Sequence, residues 1–275
     1  MTVQPVYPVA SHTPALLRET VDSGVAVLTL NRPAARNSLS KDLISDLQAE
    51  LDSIARDDGI RAVVITANGP AFCAGHDLKE ITAHRADPDQ GRACFARLIS
   101  ACSAMMQSIV HLPKPVVAAV QGVATAAGCQ LVASCDLAIA ADNASFATPG
   151  VDIGLFCSTP MVALSRNVAP KHAMHMLLTG EPIDANTAAA IGLINRVVPA
   201  GTERAAAVDL ARRIASKSAY TVRVGKAAFY RQLELPLTEA YNFASGVMTD
   251  NLMAEDADEG IRAFIDKRPP LWKDR

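Results

Sequence analysis

Pro115-Val116-Val117-Ala118-Ala119-Val120-Gln121-Gly122-Val123-Ala124-Thr125-Ala126-Ala127-Gly128-Cys129-Gln130 reads as a buried strand, then a segment of small residues, then the opening of a helix. Val116 to Val120 has no polar residue and no alternation, the pattern of a strand covered on both faces. From Gly122 to Gly128 nearly every side chain is small, so a ligand can approach the backbone itself. The helix that follows starts with N–H groups that have no partners within it.

The same order recurs on either side. Upstream, Ala62 to Thr66 is a second apolar strand that stops at the turn signal Asn68-Gly69-Pro70. Ala71-Phe72-Cys73-Ala74-Gly75-His76-Asp77-Leu78-Lys79-Glu80 then leads into a helix. Further upstream, Val25 to Leu30 is the first expected strand, and Ser40 caps a helix whose Leu43, Ile44, Leu47, Leu51 and Ile54 share one face. A helix over 91–110 precedes the quoted stretch, and a strand from Leu137 to Ala140 follows it. Short strands alternating with helices predict an α/β core.

Past Gly201 only helices are expected, over 204–216, 221–232, 237–252 and 255–266. The chain thus divides into a tail at 1–17, extended or mobile around Pro5, Pro8 and Pro14, a core at 18–200 and a helical domain at 201–275. Phe229, Tyr230, Tyr241, Phe243 and Phe264 in the helical domain suit an oligomer interface or packing of the helices on the core.

Composition narrows the function. Twenty-six basic and 28 acidic residues leave a net charge of −2, so no global field favours nucleic acid or an anionic membrane. An anionic ligand must be gripped by a few local donors. The longest apolar run, around Val116 to Val120, is too short to span a bilayer, and the N-terminus lacks the pattern of a secretory signal peptide. Cys73, Cys94, Cys102, Cys129, Cys135 and Cys157 show no CxxC spacing, which predicts buried free thiols and a reducing, cytoplasmic setting. Neither GxGxxG nor GxxxxGK[ST] occurs, so nucleotide-binding loops have no support. His172 and His175 share a helix face without a third ligand at metal spacing, and no metal or separate cofactor is expected.

The segments around Gly75 and Ala127 therefore carry the chemistry. Each follows a strand and opens a helix, where free amides favour negative charge. Two such corners facing each other would give two N–H donors to one oxygen, the geometry of an oxyanion hole.

Motifs along nearly the whole chain resemble the crotonase family, also called the enoyl-CoA hydratase/isomerase family. They include Leu30-Asn31-Arg32-Pro33 with Asn37-Ser38-Leu39, Ala71 to Leu78, Pro113-Lys114-Pro115-Val116 and Gly122 to Gln130 with Cys135-Asp136. Phe146-Ala147-Thr148-Pro149, Thr179-Gly180-Glu181, Gly192-Leu193, Val197-Val198-Pro199, Ala263-Phe264 and Lys267-Arg268 complete the series. His76 and the Phe-Ala-Thr-Pro-Gly run are most similar to one branch of that family. The resemblance implies a spiral of ββα units with a C-terminal helical domain that builds trimers, often stacked as hexamers. It implies an acyl-coenzyme A thioester as substrate, its enolate oxygen held by the amides of His76 and Ala127. It places the adenine against the backbone of Ala74, His76 and Leu78, and the CoA phosphates near Arg32, Arg36 and Lys267.

The sequence departs from the family where acid–base chemistry is done. Hydratases of the family use two glutamates to hold and activate water; the matching positions here are Gln130 and Gly150. Losing general acid–base help costs about 10²- to 10⁴-fold, so weak hydration is expected. Asp152, the His76 ring and Cys157, which Ser158 follows, are the nearby groups that could substitute, Cys157 as a nucleophile or a pocket wall. Three activities stay open at this point: a hydratase or isomerase of weakened or altered chemistry, a decarboxylase of malonyl-type thioesters, and a non-catalytic acyl-CoA binding protein.

Overall fold

The computed structural model describes residues 13–275. β1 (Leu16–Val21) and β2 (Val25–Leu30) form an antiparallel hairpin, followed by α1 (Lys41–Arg56). Three turns of a spiral come next. The first is β3 (Ala62–Ala67), β4 (Ala71–Cys73), α2 (Leu78–Ala83) and α3 (Arg92–His111). The second is β5 (Val116–Val120), β6 (Val123–Thr125) and α4 (Ala127–Ser134). The third is β7 (Leu137–Ala141), β8 (Ser145–Ala147), a 3-10 turn at Pro149–Ile153, α5 (Ser158–Leu164) and α6 (Pro170–Thr179). β9 (Ile183–Asp184), α7 (Ala185–Ala190) and β10 (Arg196–Val198) close the core, and α8 (Glu203–Ala215), α9 (Ala219–Gln232), α10 (Leu237–Leu252) and α11 (Glu255–Ile265) end the chain.

Each spiral turn gives one strand to each of two sheets. The larger has the order β1-β2-β3-β5-β7-β10, parallel from β2 onward, and the smaller β4-β6-β8-β9. The expected α/β architecture of ββα units is therefore present, the second strand of each unit joining a small sheet that the residue patterns alone do not reveal. Its strands are only two or three residues long, too short for any alternation to register.

Burial on both faces explains the unbroken apolar strands. In β5, Val116, Ala118 and Val120 join the core beneath α1, α3 and α4, while Val117 and Ala119 join a second core. That second core is closed by α8, whose Ala207, Val208, Ala211 and Ala215 lie at one-turn spacing. α8, the first helix past the boundary expected near residue 200, is thus packed into the core rather than apart from it. The expected tail lies mostly outside the described residues, and its last two, Leu16 and Leu17, pair with Leu30 and Thr29 as the start of β1. By length and composition α3 could cross a membrane, yet it turns Leu98, Cys102, Met105, Met106 and Ile109 into the core.

One buried polar node ties α9 to the core. Asp136, just before β7, accepts the Val116 N–H at 2.7 Å, the Lys226 Nζ at 2.7 Å and the Tyr230 hydroxyl at 2.9 Å. Lys226 also donates to the Ile109 and Lys114 carbonyls at 3.0 Å. Tyr230 therefore packs α9 on the core, whereas Tyr241 and Phe264 are exposed. Removing one partner leaves the other charge uncompensated in a buried place. Lys226→Met is expected to cost about 3 kcal/mol of unfolding free energy and Tyr230→Phe about 1 kcal/mol, both read from urea titrations.

Candidate functional site

The site forms where the small sheet ends. β4, β6 and β8 are parallel neighbours, so the segments leaving their C-terminal ends lie side by side, roughly 4.8 Å apart. At and just past those ends Gly75, Ala126 and Ala147 make a chain of contacts. A Cβ added to Gly75 would stand 3.0 Å from the Ala126 Cβ and 3.5 Å from the Ala127 nitrogen, and the φ of Gly75 is +86°. Glycine alone meets both demands. Ala126 in turn donates its N–H to the Ala147 carbonyl at 2.9 Å.

The two corners thus face each other. Leu39 donates to the Gly75 carbonyl at 2.8 Å and accepts from the Asp77 N–H at 3.1 Å. Between these bonds the His76 N–H has no backbone acceptor among the described residues. Ala127 opens α4, where N–H groups lack intrahelical acceptors. It follows Ala126 at φ 52° and ψ −118°, a conformation that costs an alanine about 1–3 kcal/mol.

The first corner differs from expectation in one respect. α2 begins at Leu78, and its first amides are capped by the Asp77 carboxylate, which accepts from Lys79 and Glu80. The His76 amide is free because of the Leu39 bridge, not because it starts a helix. Asn37, which the sequence offered only as part of a motif, has a structural role here. Buried at φ 53°, it donates to the Asn68 and Ala71 carbonyls at 2.8 Å and accepts from the Arg32 N–H at 2.8 Å, pinning the loop beneath the first corner.

Side chains named from the sequence are placed as follows. Arg32 is committed to protein partners: it pairs with Asp77 at 3.0 Å and donates to the Ser38 carbonyl at 2.5 Å. Burial pushes the Asp77 carboxyl up, but hydrogen bonds from Arg32, Glu80 and Ser38 outweigh it and hold the group below the ordinary range. Arg36 is exposed, and its carbonyl accepts the Ala74 N–H at 3.0 Å, beside the first corner. Leu78 is half exposed. Lys267 is exposed past α11, with no hydrogen bond or ion pair to either corner. His175 faces Glu181 at 3.8 Å on the surface.

The acid–base candidates separate. Gln130 is buried in the first turn of α4. Asp152 is exposed, and its Oδ2 is 3.0 Å from where a Gly180 Cβ would stand, at the end of α6. It packs there, against the C-terminal end of α6. At Gly150 a Cβ would stand 2.6 Å from the Leu155 carbonyl oxygen and 2.9 Å from the Cys157 Sγ. The second glutamate position is thus filled by the loop that follows it. Burial pushes the Cys157 thiol up, which keeps it protonated and makes it a wall rather than a nucleophile. Cys73, Cys102 and Cys129 are pushed up to about 12 by burial and are free.

Two measurements probe this geometry. Gly150→Ala is expected to cost about 1–3 kcal/mol by overpacking against Leu155 and Cys157, read by urea unfolding. Burial holds His76 below the 6.5 of a free imidazole, so below pH 6.5 the unfolded chain binds more protons than the folded one. That contribution is complete above pH 6.5 and is lost as pH falls towards the folded value. In His76→Gln the urea midpoint should therefore fall less steeply with acid than in the wild type.

Known proteins match this architecture along nearly its whole length. The family model described as Enoyl-CoA hydratase/isomerase covers residues 20–275. Enoyl-CoA hydratase domain-containing protein 3, mitochondrial, from Mus musculus is 47% identical over 94% of this chain and 85% of its own. The Homo sapiens protein of that name is 47% identical over 90% of this chain and 80% of its own. A crystal structure of an enoyl-CoA hydratase from Mycobacterium smegmatis is 47% identical with a TM-score of 0.90, covering 94% of this chain and 99% of that one. That of human enoyl Coenzyme A hydratase domain-containing protein 3 is 46% identical with a TM-score of 0.89, covering 94% and 100%. The branch expected from His76 is the one these relatives represent. Their names also overturn the cytoplasmic setting expected from the cysteines, since the mouse, rat and human proteins are named as mitochondrial. Free thiols report a reducing environment without telling one such compartment from another. Motifs, fold and sequence agree, and the chain belongs to the enoyl-CoA hydratase/isomerase, or crotonase, family.

Proposed function

We propose that the chain is an acyl-CoA-processing enzyme that stabilises a thioester enolate between the amides of His76 and Ala127. The observation that carries this reading is the approach of Gly75 to Ala126 and Ala127, which brings together two N–H groups without backbone acceptors. A thioester oxygen between them accepts two hydrogen bonds that strengthen as charge builds up, which lowers the barrier selectively. Arg36, exposed and with its carbonyl on the Ala74 N–H, is a better candidate for the CoA phosphates than Arg32, which is held by Asp77. The adenine lies in this reading against the backbone of Ala74, His76 and Leu78.

Proton transfer is the weak element. Gln130 has no useful pKa, and Gly150 offers no side chain and no room for one. Hydration of a simple enoyl-CoA is therefore slow in this reading, and the enolate-stabilising step is retained. Exposed apolar side chains on the last helices, Tyr241, Met253, Phe264 and Ile265 among them, support assembly into a trimer or a dimer of trimers.

The test uses crotonyl-CoA, 3-enoyl-CoA and methylmalonyl-CoA, each followed by mass spectrometry. Ala127→Pro deletes one donor at a helix position that tolerates proline, and about a 100-fold loss of the best turnover is expected. Unchanged turnover in a folded variant refutes the oxyanion assignment. Crotonyl-CoA hydration as fast as that of a glutamate-bearing relative refutes the missing acid–base pair.

A further inference from the structure

Between Asp209 and Glu234 the chain carries six basic residues and no acidic one, in a protein of net charge −2. The end of α8 and the start of α9 are therefore a local positive patch. A cavity of about 340 Å³ opens there, where β3 and β5 begin, at the opposite end of these strands from the turns that lead to β4, β6 and the two corners. Arg61, Lys114, Lys217 and Arg223 line it against Asp58 and Asp274, with Ile60, Ile214 and Val222 as apolar wall. Concave, partly apolar spaces with a few converging charges are the usual form of small-molecule sites.

The chain's own Asp274 shows what the cavity accepts. Arg61 donates through Nε to the Ala215 carbonyl at 2.8 Å and through Nη2 to the Lys217 carbonyl at 2.6 Å, so the backbone fixes its fork in place. That fork grips the Asp274 carboxylate with both terminal nitrogens, at 2.6 and 3.1 Å. The Ala219 N–H, at the start of α9, donates to the same carboxylate at 2.7 Å. A guanidinium oriented by carbonyls beside a free helix-start amide is a preformed receptor for a carboxylate or a phosphate. Hydrogen bonds from Arg61 hold the Asp274 carboxyl below its ordinary range against the opposing effect of burial.

One carboxylate does not neutralise the place. Lys217 and Arg223 are exposed and have no acidic partner among the described residues, and Arg223 lies over the Tyr220 ring at 5.5 Å. Lys114 donates only to the Ile54 and Asp57 carbonyls. Asp274 itself belongs to a surface segment, 271–275, that has no helix or strand and stands at a φ of 62°. Two ties hold that segment besides the Arg61 pair: Trp272 Nε1 donates to the Ser216 carbonyl at 3.0 Å, and Asp256 of α11 accepts the N–H groups of Lys273 and Asp274 at 2.7 and 2.9 Å. A tethered carboxylate competes at an effective concentration on the order of mM. That excludes a simple monoanion, but not a ligand whose further charges also reach Lys217 and Arg223.

We infer that this cavity is a second ligand site, separate from the two corners, for a small organic polyanion that displaces Asp274 from Arg61. One carboxylate or phosphate takes the Arg61 fork and the Ala219 N–H, and another pairs with Lys217 and Arg223. Polycarboxylates and phosphate esters share that chemistry. Binding releases the 272–275 segment, and with it the tie that Asp256 and Asp274 make between α11 and the start of β3.

Trp272 is the only tryptophan of the chain and stands two residues from Asp274, so its fluorescence reports the release. The full chain is titrated at constant ionic strength with citrate, a polycarboxylate, with phosphoenolpyruvate, a phosphate ester, and with acetate as the monoanion. A saturable change in Trp272 emission is expected with citrate or phosphoenolpyruvate and not with acetate, and the stronger of the two identifies the anionic group preferred. By isothermal titration, Asp274→Asn should bind that ligand roughly tenfold more tightly, because the tethered competitor has lost its charge. Lys217→Ala combined with Arg223→Ala should bind it roughly tenfold more weakly, at an unchanged melting temperature because both side chains are exposed. No saturable response of the wild type to either polyanion overturns the inference, as does a response that acetate reproduces. Equal affinity in wild type and Asp274→Asn, or undiminished affinity in the double variant, overturns it too. The double variant keeps the test decisive whatever Asp274→Asn does to the fold.

Discussion

A carbonyl oxygen of β4 and the first turn of α4 approach so closely that no side chain fits between them. A Cβ on Gly128 would stand 2.1 Å from the Cys73 carbonyl oxygen, and one on Gly122 2.3 Å from that of Pro70. These contacts seat the second corner against the first, and Gly75, against Ala126, completes the fit. A single methyl group at Gly128 would push α4 away from β4 and carry the Ala127 amide with it. The spacing between the two amides is therefore set by residues that have nothing to contribute but their lack of a side chain, and the large alanine content of the chain does the same work nearby.

That constraint divides the labour within the site. The two donors of the proposed enolate site belong to the backbone, so their presence is independent of which side chains sit at 76 and 127; alanine donates there as well as glycine, beside a strained Ala126. Side chains one step beyond the contacts, His76, Gln130 and Thr148, are free to vary the chemistry without disturbing the donors. None of them is a carboxylate, and Arg32 is locked into an ion pair with Asp77. The site therefore keeps polar side chains but lacks a pair of carboxylates for acid–base work.

The central strands were legible because burial on both faces leaves an uninterrupted apolar run, as Val25–Leu30 and Val116–Val120 show. The cap of α1 was legible as well, since Ser40 accepts the Leu43 N–H. What escaped was whatever depends on partners distant in sequence. β4, β6 and β8 are three-residue strands that exist because they pair with one another, not because of any local pattern. α8 reads as one more amphipathic helix, and only its contact with Val117, Ala119 and Ile139 makes it core. Arg32 looked like a free cation because Asp77, its partner, lies 45 residues away. The corners were legible as glycine- and alanine-rich turns, but that they meet is a fact of the spiral.

Gly150 shows why the missing carboxylate is a matter of packing as well as of residue identity. In a chain that had only exchanged glutamate for glycine, space would remain where the side chain had been. Here the Leu155 carbonyl and the Cys157 thiol stand within 2.9 Å of where even a Cβ would lie, and Leu155 donates its N–H back to the Gly150 carbonyl at 2.8 Å. The loop has closed over the position and put a protonated thiol in the room that a longer side chain would need. Restoring a carboxylate at 150 therefore requires moving backbone, not substituting one residue, whereas Gln130 already occupies its place on α4 and could change its chemistry without such movement. The two departures from the hydratase pattern differ in kind: at 130 an amide keeps the position while giving up the proton, and at 150 the position itself has been rebuilt.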